Sequence, residues 1–179
     1  MVSRRGAAVA LSSLVLVGSS LVWAPAGQAD AVGHGGSIGC AGASVSTYDP
    51  PLTLVPRETH VRTQARYTCT VGPGRTVSAT GFLEGVSPAA SCVALTSSRL
   101  NETVRYADGG RSVIGYDRST TLRVAGVLVI RLSGSVSEGR GAGQSAQRTV
   151  AALPGQLPTQ CLLSGLRGSN GQAQLEIQP

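Results

Sequence analysis

The sequence predicts an all-β protein, an antiparallel β-sandwich stapled by two disulfides, and three observations carry that prediction. Thr59 to Cys69 alternates with period two: Val61, Thr63, Ala65, Tyr67 and Cys69 share one face, and His60, Arg62, Gln64, Arg66 and Thr68 share the other. Glycine and proline clusters punctuate the chain at strand-like intervals, and no stretch has a convincing amphipathic helical period. Four cysteines, Cys40, Cys69, Cys92 and Cys161, give the even count expected of paired thiols in an exported chain.

Export is read from the first residues. Arg4 and Arg5 precede an uncharged apolar stretch from Ala7 to Trp23, and small residues follow at Ala24, Ala26, Gly27 and Ala29. This pattern predicts a secretory signal peptide over 1–29, cut after Ala29, with Ala26 and Ala31 as other permissible positions. The apolar run is short for a membrane span, and "VAGVLVIRL" (Val124 to Leu132) is shorter still, so the expected product is secreted and extracellular with no span. The remaining 150 residues suit one domain and can bury a core. They carry 13 arginines against nine acids, a net charge of +4, with no lysine in the whole chain. Such usage reflects a high-GC genome. The arginines are scattered singly with no aromatic platform between them, which argues against a nucleic-acid partner.

Residues 30–42, "DAVGHGGSIGCAG", are glycine-rich and without period, and predict a flexible arm ahead of a sandwich domain over 43–179. A short strand is expected at Ala43 to Tyr48, stopped by Asp49-Pro50-Pro51 because proline cannot donate to a ladder. After the alternating strand, "VGPGR" (Val71 to Arg75) reads as a turn, Thr76 to Glu84 as a strand, and Ser87 to Ser91 as a loop. Asp108-Gly109-Gly110 makes the clearest hairpin. Ala125-Gly126 then reverses the chain into "VLVIRLSGSV", followed by a glycine loop at Glu138 to Gln144, the strand "SAQRTVAAL", a loop from Pro154 to Pro158, and a last strand at Gln172 to Ile177. One helical turn is plausible around Cys161, resting on the core through Leu162, Leu163 and Leu166. Three disulfide pairings are open. Cys40 with Cys69 and Cys92 with Cys161 is favoured because Cys40 and Cys69 would end neighbouring strands.

No residue cluster spells out a reaction, so no enzyme is expected. His34 and His60 are the two imidazoles, one in the arm and one on a wet strand face; no G-x-S-x-G elbow occurs, and the acids read as turn residues or outward strand positions. No CxxC or HxxxH spacing supports a metal, and nothing calls for a cofactor. Tyr48, Tyr67, Tyr106 and Tyr116 offer a glycan-stacking alternative, although Tyr67 shares the inward face with Cys69.

The stretch "ASVSTYDPPLTLVPRETHVRTQARYTC", the "SC" at Ser91-Cys92, "ADGGRS", "LSGSVSEGRGAG" and "CLLSGL...SNGQAQLEI" together resemble a group of small secreted proteins from high-GC Gram-positive bacteria. That group is similar to the adaptor subunit of umbrella-shaped toxin particles used in bacterial competition. Asp49-Pro50-Pro51, Tyr106 and Gly143 depart from its pattern. The resemblance implies a non-enzymatic connector that grips a lectin-bearing subunit of trypsin-like fold and a large repeat-built toxin chain. Candidate contact residues are Val32, His34 and Ile38 in the arm and Arg62, Gln64 and Arg66 on the outer strand face. A carbohydrate- or envelope-binding module and a protease inhibitor with a loop at Pro88 to Cys92 are the alternatives.

Overall fold

The computed structural model describes residues 36–96, 99–124, 127–152 and 161–179. Nine strands run through them: β1 (Ile38–Leu52), β2 (Arg57–Gly72), β3 (Arg75–Ala90), β4 (Leu95–Thr96), β5 (Arg99–Tyr106), β6 (Arg111–Val124), β7 (Val127–Gly139), β8 (Ser145–Ala152) and β9 (Leu166–Gln178). All pairings are antiparallel.

The chain is all-β and carries both disulfides, but it is a barrel and not the expected sandwich. The ladder runs β2-β1-β9-β8-β7-β6-β5-β3, and β2 also pairs β3 along fourteen register positions, which closes eight strands into one ring. The short β4 lies against the end of β3. Each long strand neighbours the next along the chain and β9 returns to β1, an up-and-down meander. The sequence could not separate the two architectures, because both need one apolar row per strand and period two reports only that row. β1, β2 and β3 reach 15 or 16 residues, long enough to coil around a common axis.

Inward side chains fill the ring. Leu83, Val104, Ile114, Val136, Leu175 and Ile177 are fully buried, while Arg62, Gln64, Arg66, Glu84 and Arg105 point outward into exposed positions. Apolar inside and polar outside is the order of a barrel that stands in water. No helix among the described residues is long and apolar enough to cross a membrane.

Several boundaries move. Ile38 pairs with Ile177 and is 3% exposed, so Ile38 to Gly42 belong to β1 and not to an arm. β1 also continues past the prolines to Leu52, with a register break between Thr47 and Leu52 against β9. Pro50 and Pro51 sit in that irregular stretch, where no ladder donor is required. β3 runs to Ala90, so most of the expected loop at Ser87 to Ser91 is strand, and Ser87, Ser91 and Cys92 are buried. A single helical turn does form at 161–163, but Leu162 and Leu163 face solvent and only Leu166 packs inward.

The direction of the strands gives the barrel two unlike ends. Tight turns at 73–74, 107–110 and 140–144 close one, with Gly109 at a φ of 85° in the hairpin turn as positive-φ chemistry requires. There Asp108 accepts hydrogen bonds from Arg75 and Arg140, each at 2.8 Å, and the Arg140 guanidinium lies 4.4 Å over the Tyr106 ring. These contacts tie the turns to one another. The C-terminal ends of β1, β3, β6 and β8 and the N-terminal ends of β2, β5, β7 and β9 lie at the opposite end.

Candidate functional site

Two strands each carry one charge on an otherwise apolar row. Alternation along β5 turns Leu100, Glu102, Val104 and Tyr106 inward, and along β8 it turns Ala146, Arg148 and Ala152 inward. Glu102 is 0% and Arg148 1% exposed. Arg148 Nη1 donates to Glu102 Oε1 at 2.5 Å, Tyr67 OH donates to the same oxygen at 3.0 Å, and Tyr116 OH donates to Oε2 at 2.7 Å. Glu102 therefore takes three donors in the middle of the barrel, the number a buried carboxylate needs to offset lost hydration.

Gly81 on β3 makes the space. A Cβ there would stand 2.6 Å from Glu102 Oε1 and 2.7 Å from Tyr67 Cε2. The environment also fixes the protonation of the tyrosines. Burial, and after it the Glu102 charge, raises the phenols of Tyr67 and Tyr116 above their ordinary value of 10.0, so both stay donors.

Between this cluster and the loop end lies a cavity of about 50 Å³. Leu83, Leu100, Ile130, Leu132 and Val150 line it together with Arg148, and the buried Leu52, Leu95, Leu128, Ala152 and Leu166 line it as well. One side is polar, with Ser46 bonded to Thr63 at 2.8 Å and Tyr48 to Ser169 at 2.7 Å. Arg148 spends only one nitrogen on Glu102. Its Nε and Nη2 are buried and have no hydrogen-bond partner in the protein.

The loop end outside the cavity is apolar. Nine large hydrophobic side chains are exposed among the described residues, and seven belong to this end: Leu54 and Val55 between β1 and β2, Val93 beside β4, Leu122 and Val124 at the tip of β6, and Leu162 and Leu163 on the helical turn. Their clustering is what distinguishes them from ordinary scattered surface residues. Phe82 and Val45, the other two, lie on the outer wall. β6 and β7 stay paired to Val124 and Val127, beyond Tyr116 where β6 last pairs with β5, and β6 is steadied there by Ser119 Oγ donating to the Leu95 carbonyl and the Leu95 amide donating to Thr121 Oγ1.

The favoured disulfides form. Cys40 and Cys69 are direct register partners on β1 and β2, and Cys92 ties the β3–β4 corner to Cys161 on the helical turn. Arg62, Gln64 and Arg66 point outward on β2, where the register sets them beside Val45, Phe82 and Glu84. Ile38 faces the interior, and Val32 and His34 lie outside the described residues. All four tyrosines are buried, so they present no stacking face to a sugar. The segment at Pro88 to Cys92 is not an exposed inhibitor loop, since Ala90, Ser91 and Cys92 are buried.

Sequence reasoning missed Glu102 and Arg148 by treating the acids as turn residues or outward strand positions and the arginines as scattered charges. The signal was present in the phase, because Leu100 and Val104 flank Glu102 on one face and Ala146 and Val150 flank Arg148. The chain matches no protein-family model, no curated protein and no solved structure.

Proposed function

We propose that the chain is a secreted, non-enzymatic binding protein that holds a partner protein against the loop end of its barrel, acting as an adaptor in a secreted toxin particle. The observation that carries the binding reading is the gathering of Leu54, Val55, Val93, Leu122, Val124, Leu162 and Leu163 at one end of a rigid barrel. Aliphatic side chains held in solvent on short connections cost solubility and serve contact, and an interface core is built from such residues. The Cys92–Cys161 bridge pins two of the contributing segments to each other, which lowers the ordering cost of association. The adaptor role and the identity of the partners, a lectin-bearing subunit of trypsin-like fold and a large repeat-built chain, come from the family resemblance.

Leu122→Asp together with Leu163→Asp tests the contact. Leu163 is largely exposed and Leu122 nearly half exposed, so the folded barrel should persist, while recovery of the partner from culture supernatant should fall at least tenfold. Undiminished recovery would remove this end of the barrel from the mechanism.

A further inference from the structure

The side-on edge of a guanidinium, Nε–H and Nη2–H pointing the same way, is the fork that accepts a carboxylate through two parallel hydrogen bonds. In Arg148 this edge is the unspent one, because Nη1 alone is committed to Glu102. Arg148 is 1% exposed and is among the residues that line an apolar cavity, and a buried guanidinium edge without a partner is an arrangement that a purely structural ion pair has no need of. Glu102 is meanwhile covered by two tyrosine hydroxyls, so its charge is partly drawn away from the guanidinium.

The cavity sets the shape of what can enter. At about 50 Å³ it is smaller than the ~150 Å³ apolar cavity that admits a benzene ring, so a ring or a branched body does not fit. A single methylene chain does, provided its far end continues between Leu52, Leu95 and Leu128 toward the exposed aliphatic residues outside. Eight-stranded barrels have interiors of a width that side chains fill or one small molecule shares.

We propose that the upper half of the barrel binds a slender aliphatic carboxylate, its two oxygens on the Nε–H and Nη2–H of Arg148 and its chain running past Leu100, Leu132 and Val150 to the loop end. The site is distinct from the protein contact on the outer rim. Arg148→Lys should therefore leave partner recovery unchanged, and the two readings fail separately.

Calorimetric titration of the secreted chain with octanoate and with octanamide tests the assignment. Octanoate should bind one to one, and octanamide, which has a single acceptor oxygen, at least tenfold more weakly. Arg148→Lys keeps a cation opposite Glu102 but loses the fork, and should weaken octanoate at least tenfold. Ala152→Phe fills part of the cavity while leaving Arg148 and Glu102 in place, should weaken octanoate similarly, and carries the test if the lysine variant does not fold. Absence of one-to-one octanoate binding by the unmodified chain would leave the fork to water and overturn the proposal. Equal affinity for octanamide would overturn the carboxylate, and octanoate binding retained in a folded Arg148→Lys or in Ala152→Phe would place the chain outside the cavity.

Discussion

Glu102 and Arg148 face each other across the barrel with almost no solvent, and their energetics follow from that isolation. Removing one partner leaves an uncompensated buried charge, so Glu102→Leu should lower unfolding free energy by ~3–5 kcal/mol. The double variant Glu102→Leu with Arg148→Met should lose less than Glu102→Leu alone, because no bare charge remains. Denaturant unfolding of the single and double variants checks this, and a double loss equal to the sum of both single losses would show the two charges to be uncoupled. Gly81→Ala forces a methyl against Glu102 and Tyr67 and should cost ~1–3 kcal/mol by overpacking, read in the same assay. The tyrosines give a pH prediction. Burial raises the phenols of Tyr48, Tyr67, Tyr106 and Tyr116 above 10.0, so the unfolded chain releases those protons near that pH while the folded chain keeps them. Stability is thus fully present below pH 10.0 and falls as pH rises beyond it. With no lysine in the chain to titrate in the same window, tyrosinate absorbance should appear together with unfolding and not before it. Gradual ionisation of a folded chain would contradict the burial.

The elements differ in how plainly the sequence announces them. β2 alternates without interruption, and its face assignments hold from Val61 to Cys69. In β1 two prolines read as a stop, whereas a register irregularity accommodates them inside the strand. Three leucines predict a helical turn resting on the core, but the Cys161 bridge and the start of β9 at Leu166 leave Leu162 and Leu163 on the outside. Those two residues belong to the proposed contact, which is why local pattern could not find them. The disulfides separate stability from binding. Loops of 29 and 69 residues give ~3.5 and ~4 kcal/mol by chain entropy, so opening either bridge by paired Cys→Ala substitutions should lower stability by a similar amount. Opening Cys92–Cys161 should in addition weaken partner recovery severalfold, since that bridge holds the rim. Opening Cys40–Cys69 joins no rim segment and should leave recovery intact at temperatures where the chain is folded.

For the whole molecule, a single closed ring explains why one face of every strand is apolar and why the working features divide between two ends. Sandwich and barrel share strand number and period, and the deciding contact, β2 against β3 while β9 returns to β1, is a relation among strands that no single segment reports. The turn end is tied down by Asp108, Arg75 and Arg140; the loop end carries the exposed aliphatic residues. Partner capture at that loop end is the claim on which the functional reading rests. Its most direct measurement is parallel affinity purification, from native culture supernatant, of the tagged chain, the Leu122→Asp/Leu163→Asp variant and an Arg62→Glu/Arg66→Glu outer-wall control. The predicted result is a lectin-bearing subunit and a large repeat-built chain in stable proportion with the unmodified protein and the outer-wall control, and their loss from the rim variant. Recovery of the unmodified protein alone, or of the same partners by the rim variant, would contradict it.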